Sequence, residues 1–170
     1  MSAMRLSALT AMALVAFVSA CAPMPEAGPM GPAATVFRAE DFAWSARGGQ
    51  AAINGVIEYR EAGRAFACTG SVGLTPETPY TRQRFQTLYG TTDRAAVPEA
   101  VVRARTVADP NADYRAFVRS TTCTGGRFSF TGLPDGGWFI IVPVSADGAE
   151  RIVLMRRVET RGGRAISVGL

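Results

Sequence analysis

The sequence contains no histidine and no lysine. Without histidine, the chain lacks the commonest general base and the commonest metal ligand. All 18 basic residues are arginine, read first as a compositional bias and only second as a functional choice. A formal charge of +4 over 170 residues is too small to imply nucleic acid as a partner. Cysteine is scarce, at three residues, with no Cys-x-x-Cys spacing, so neither a zinc site nor a redox pair is expected. No metal and no other cofactor is expected, and no repeat of fixed period is visible. What is present is 48% apolar residues, enough for one domain with a core, together with 18 glycines and 10 prolines that imply many turns.

The N-terminus carries the most specific signal. Arg5 precedes a short apolar run, Leu9 to Val18, which is too short to be a comfortable membrane span. Val18-Ser19-Ala20-Cys21 resembles the lipobox of bacterial lipoproteins. The resemblance implies a signal peptide over residues 1–20 and Cys21 as the lipidated first residue. A plain secretory signal cleaved near Ala20 or Ala22 is the alternative. Lipid chains at about 0.8 kcal/mol per buried methylene would anchor the protein firmly when two or three are present. Ala22 stands where an aspartate would favour inner-membrane retention in that class, so the outer membrane, facing the periplasm, is the expected address. Residues 21–35 hold several prolines and no apolar period and read as a tether, followed by one domain over 36–170.

Within that domain the apolar pattern is mostly of period two. VFRAEDFAWSA fits neither period and is a short helix or an irregular lead-in. QAAINGVIEYR and AFACTGSVGLTP read as strands joined as a hairpin through a Glu61-Ala62-Gly63 turn. PYTRQRFQTLYG places Tyr80, Phe85, Leu88 and Tyr89 at helical spacing, with Gly90 as a cap. Strands are then expected from Ala100 to Val107, over YRAFVRSTT, and over RFSFTGL, WFIIVPVSA, RIVLMRRVE and RAISVGL. In RFSFTGL, Phe128, Phe130 and Gly132 share one face by the strand period, and Arg127, Ser129 and Thr131 share the other. WFIIVPV has no polar face, so it should be central and covered on both sides, with pairing lapsing on one side at Pro143. The Asp135-Gly136-Gly137 glycines suit a tight hairpin between these two strands.

Gly126-Arg127-Phe128-Ser129-Phe130, then Leu133-Pro134, then Gly137-Trp138-Phe139, resembles the signature of carboxypeptidase regulatory-like domains. Ile53-Asn54-Gly55-Val56 and Val72-Gly73-Leu74-Thr75-Pro76 resemble that family's first two strands. The resemblance implies an all-β fold: a single seven- to eight-stranded antiparallel β-sandwich, transthyretin-like. Residues 77–117 form an insertion, with a short helix, where any individual function is expected. Most of that family are accessory, adhesive or structural modules rather than enzymes.

With Cys21 lipidated, Cys68 and Cys123 remain, and an exported compartment favours a disulfide between them. Other candidates are weaker. Asp109 to Asp113 begins like a calcium loop but has Tyr114 and Ser120 where a glycine and a glutamate belong, so an Asx-turn is favoured. Ser71 sits in a faint nucleophile-elbow pattern with no histidine to activate it. Glu58 and Glu61 read as surface acids. Tyr80, Phe85 and Tyr89 either line a platform for carbohydrate or peptide or close the end of the sandwich, the latter favoured. Arg103 with Arg105, and Arg156, Arg157, Arg161 and Arg164, read as solvated faces with anionic lipid as the alternative ligand. The chain therefore reads as a non-catalytic envelope lipoprotein acting as a binding or structural module. Its expected partners are the membrane, through the anchor, and an envelope protein or glycan. An inhibitor or immunity-type module, or a hydrolase with an acid-only site in residues 77–117, are the alternatives.

Overall fold

The computed structural model describes residues 35–107, 113–148 and 150–170. The signal peptide, Cys21, nearly all of the tether and Asp109–Ala112 of the oxygen-rich segment lie outside these. Among the described residues the strands, in chain order, are β1 (Ala51–Val56), β2 (Arg60–Glu61), β3 (Arg64–Ala65), β4 (Ala67–Cys68), β5 (Ser71–Pro76), β6 (Arg94–Pro98), β7 (Arg119–Thr122), β8 (Arg127–Leu133), β9 (Gly136–Ser145), β10 (Ile152–Thr160) and β11 (Ala165–Gly169). Two α-helices, α1 (Pro79–Tyr89) and α2 (Glu99–Ala104), lie between β5 and β7, and 3-10 helices span Ala39–Ala46 and Asp113–Phe117.

The apolar strand β9 organises the rest. Trp138, Ile140, Val142 and Val144 alternate toward one side and are fully buried. Phe139 and Ile141 point the other way and join a second apolar cluster with Phe85, Tyr89, Val153 and Met155. The inner face is thus covered throughout and the outer face in part, Phe139 being buried while Ile141 and Pro143 are half-buried. β9 sits inside a six-stranded sheet in the order β6-β10-β9-β5-β7, with β4 also paired to β9. Pro143 falls where one neighbour changes. β5 pairs with β9 up to Ile141, β4 takes over at Val144, and β10 continues unbroken alongside. The Pro143 carbonyl accepts the Thr69 N–H at 2.9 Å, and the residue without an N–H sits in the gap between the β5 and β4 pairings.

A three-stranded sheet, β11-β1-β8, packs over the inner face of the large one. Phe128 and Phe130 face inward and are buried with Ile53 and Leu133, while Arg127, Ser129 and Thr131 are exposed. Gly55 makes room for this packing: a Cβ there would lie 1.9 Å from Phe128 Cζ. The β-sandwich with short helices matches the expected fold class, and three details differ. The count of strands among the described residues is eleven rather than seven or eight, because several are two-residue pieces. The sandwich is not wholly antiparallel, since β1 and β11 run parallel, with Ile53 opposite Ile166. Strands β8 and β9 do not pair with each other. They lie in opposite sheets and meet across the core, so Pro134-Asp135-Gly136-Gly137 is a corner and not a hairpin turn.

The same correction applies upstream. β1 does not pair with the segment that follows it, and the Ala62-Gly63 turn, with φ of 48° and 79°, closes only the short β2–β3 ribbon. At Gly132, whose φ is 67°, the β1–β8 register shifts, and this brings Leu133 rather than Gly132 onto the buried face. Residues 99–104 are helical where a strand was expected, and the 3-10 helix Asp113–Phe117 replaces the first half of the expected YRAFVRSTT strand. The cysteines behave as expected. Cys68 on β4 and Cys123, just after β7, form a disulfide with Cα atoms 6.1 Å apart.

A polar knot holds the corner. Thr160, fully buried, accepts the Trp138 indole N–H and the Gly136 N–H, each at 3.1 Å, and donates to the Pro134 carbonyl at 2.8 Å. Asp135 accepts the N–H groups of Gly162 and Gly163 at 2.6 and 3.1 Å, tying the corner to the β10–β11 turn. Trp44 packs edge-on against Trp138, with centroids 4.9 Å apart.

Candidate functional site

The insertion builds a cover over part of the outer face of the large sheet. Thr78 and Thr81 form a reciprocal capping box, Pro79 opens α1, and Gly90 ends it with φ 78° in the left-handed region. The helix lays Phe85 edge-on against Phe139 at 4.8 Å and buries Tyr89 beside it. Burial pushes the Tyr89 hydroxyl well above its ordinary range, so it stays neutral. Tyr80 turns instead toward the two 3-10 helices, where Phe37, Phe42 and Phe117 pack together, the last two stacked at 4.8 Å. Tyr80, Phe85 and Tyr89 are therefore core, as the favoured sequence reading holds, although they cover the face of a sheet rather than the end of the sandwich.

The cover stops short of β5 and β7, and a groove of about 400 Å³ remains there. Its floor is Gly73, Ile141 and Pro143, and the hydroxyl residues Ser71, Thr75 and Ser120 line it. Its wall is Tyr114, Arg115 and Val118 from the second 3-10 helix and the residue after it. Gly73 keeps the floor low, since a Cβ there would come within 3.7 Å of Val118 and close that part of the groove. The Tyr114 ring is held by neighbours: the Arg84 guanidinium carbon lies 4.7 Å from its centroid, the Arg115 one 5.9 Å, and Tyr80 5.8 Å. The lining thus combines an aromatic ring, short hydroxyls and an exposed guanidinium, with no carboxylate among its described residues. Such a set is suited to neutral, hydroxyl-rich molecules through stacking and hydrogen bonds. Ser71 lies here on β5, exposed, as a lining hydroxyl rather than at a strand-to-helix turn.

Two acids of the insertion, Glu77 and Glu99, are engaged in ion pairs away from this groove. Glu77, at the end of β5, accepts Arg157 Nε on both carboxylate oxygens at 2.8 Å and also pairs with Arg82. Burial pushes its pKa up, but the hydrogen bonds and charges of Arg157 and Arg82 outweigh that and hold the carboxyl pKa below its ordinary value. Glu159 approaches the same Arg157, its oxygen 4.0 Å from Nη2 against 2.6 Å for Glu77. An acid-only hydrolytic site needs one carboxyl held protonated. At this pair the arginine acts in the opposite direction on Glu77. Glu99 is likewise paired, with Arg103 at 2.5 Å and Arg151 at 3.1 Å.

Among the described residues no three histidine, cysteine, aspartate or glutamate side chains gather to hold a metal ion, and no helix is long and apolar enough to cross a membrane. Glu58 lies beside Gly169, and Glu61, on β2, is exposed, so the two acids do not share a cleft. Of the arginines grouped by sequence, Arg103 pairs with Glu99, Arg157 with Glu77, and Arg161 with Glu159, while Arg105 donates to the Leu88 carbonyl. Arg156 is held by the Gly169 carbonyl, and Arg164 is exposed. The Tyr114 groove was missed in the sequence, because its residues come from β5, β7, β9 and a 3-10 helix that are far apart in the chain.

No family model matches the chain, and no curated protein matches it. Among solved structures it is similar to a proposed carbohydrate-binding protein from Pseudomonas aeruginosa. The identity is 23%, the TM-score is 0.56, and the match covers 79% of this chain and 96% of that one. At this identity the likeness carries the fold: a β-sandwich of the same general build.

Proposed function

We propose that the chain is a glycan-binding module of the bacterial envelope, related to the carboxypeptidase regulatory-like sandwiches and anchored by lipid at Cys21. The observation that carries the binding reading is the outer-face groove, where Tyr114, Arg115 and the hydroxyls of Ser71, Thr75 and Ser120 surround a low floor, with no carboxylate among the described lining residues. A sugar ring offers an apolar C–H face to an aromatic side chain and hydroxyls to the rim, and this groove offers the complement. The similar Pseudomonas aeruginosa protein, itself proposed to bind carbohydrate, supports the same reading. The lipobox-like Val18-Ser19-Ala20-Cys21 supports the anchor, and a lipid-held module beside the cell wall would meet envelope glycans at high local concentration.

The test is a glycan array with the full chain, followed by calorimetry on whichever sugar is retained. Tyr114→Ala should weaken binding about tenfold through lost stacking, with some loss of stability because the ring also packs on Tyr80 and Arg84, and Ser120→Ala, at an exposed position, should weaken it less with its melting temperature unchanged. Retention that survives both substitutions, or no retention of any envelope glycan, overturns the proposal. Intact-mass measurement of envelope-extracted protein tests the anchor separately: the expected result is a diacylglyceryl or triacyl addition at Cys21. A Cys21→Ser form that is processed and membrane-held like wild type refutes it.

A further inference from the structure

The two sheets differ in width. Three strands face six, and the edge strand β6 is left with part of its inner face uncovered. A cleft of about 360 Å³ opens there, floored by Ala96 and Leu154 and flanked by Tyr59 and Leu170. Its rim carries Arg94 and Arg156, which are direct cross-strand partners in the β6–β10 ladder and so project to the same side. Like charges placed opposite each other on a ladder repel. Neither guanidinium has a carboxylate within ion-pair distance among the described residues, in contrast to Arg103, Arg151, Arg157 and Arg161. Arg156 is tethered to the Gly169 carbonyl, which fixes its direction while leaving most of its donors unused. Tyr59 is fixed as well, its ring edge-on to Phe66 at 5.1 Å.

The geometry points to this cleft as a second binding site, for an amphiphile with one anionic head, phosphate or carboxylate, and an apolar body. The head lies between Arg94 and Arg156 and relieves their repulsion, since two guanidinium forks can share one such oxyanion. The apolar body lies on Ala96, Leu154, Tyr59 and Leu170. The cleft is at the lower end of small-molecule site volumes, which suits a short chain or a single ring rather than a whole lipid. This site shares no residue with the Tyr114 groove, so neither proposal depends on the other.

Calorimetry on the full chain against a detergent-matched blank, with octyl phosphate, inorganic phosphate, octanol and octyltrimethylammonium as probes, tests both halves of the ligand. Octyl phosphate should bind at least tenfold more tightly than either inorganic phosphate or octanol, and the cationic probe should not bind. Arg94→Gln should lower octyl phosphate affinity tenfold or more while leaving thermal stability equal or slightly raised, because a repulsion is removed. Arg156→Gln should lower affinity likewise, and Arg94→Gln carries the conclusion if that second variant melts early. Equal binding of inorganic phosphate would reduce the site to a bare charge patch, and equal binding of octanol to a bare apolar cleft. Either result, no binding of octyl phosphate, or unchanged affinity in Arg94→Gln, overturns the proposal.

Discussion

Replacing Thr160 by valine keeps its shape and removes one hydroxyl from the centre of the corner. In the native protein that hydroxyl accepts from Trp138 Nε1 and Gly136 N and donates to the Pro134 carbonyl. Trp138 is fully buried, so its indole N–H finds no water when the acceptor goes, and an orphaned buried donor costs about 1–3 kcal/mol. Gly136 and Pro134 are half-buried and recover part of their loss from solvent, adding about 1 kcal/mol more. The expected total is about 2–4 kcal/mol, or a fall in melting temperature of roughly 10 °C for a domain of this size. Thr160→Ser keeps the hydroxyl and loses one methyl, at about 1 kcal/mol. Urea melts followed by tryptophan fluorescence measure both, with an unchanged slope expected because the unfolded surface is the same. If valine is tolerated to within about 0.5 kcal/mol, or if serine costs as much as valine, the hydroxyl is not the organising group.

Phe128→Ala and Phe130→Ala should each cost about 3–5 kcal/mol in the same melts, and midpoints near wild type for both would show that these rings do not fill the core. Loss of the Cys68–Cys123 bridge in the double serine variant should cost up to about 4 kcal/mol, from the separation of 55 residues. Non-reducing peptide mapping should recover the linked pair, and two alkylatable thiols in native protein would refute it. Glu77 has a folded pKa held below its unfolded value by Arg157 and Arg82, so its contribution is present above about pH 4.3 and fades as pH falls through the folded pKa. Glu77→Gln should therefore be less stable than wild type at neutral pH, and that gap should shrink as pH falls below about 4.3, the ordinary glutamate value. A gap that stays constant with pH would show that the carboxylate charge is not what matters.

Much of the sandwich is legible in the chain because its signals are local. The two faces of β9 follow from seven consecutive uncharged residues, and α1 follows from Pro79, the aromatic spacing and Gly90. The polar stripe Arg127, Ser129 and Thr131 is read from alternation alone. The errors come where local chemistry is shared by two outcomes. Glycines after Asp135 permit a sharp reversal, but positive φ does not say whether the flanking strands pair side by side or face each other across the core. Val101 and Val102 suit a strand and a short helix equally, and packing of α2 against β6 and β10 decides for the helix. The disulfide follows from cysteine parity and the expected compartment, with no information about geometry. The two grooves are not legible at all. Tyr114, Ser71 and Pro143 meet only after three strands and a 3-10 helix are in place, and the Arg94–Arg156 pair exists only through the register of β6 on β10.

The parallel pairing of β1 with β11 sets an order of events in time. Ile53 and its neighbours near the start of the domain wait for Ile166 and its neighbours near the end. A chain that emerges N-terminus first, from a ribosome or through a translocation channel, can bring β9 against β10 but cannot finish the narrow sheet until the final strand is free. Contacts of such long sequence separation form slowly, in milliseconds to seconds rather than microseconds. The narrow sheet thus stays open while its last strand is still missing, and it locks only when that strand arrives.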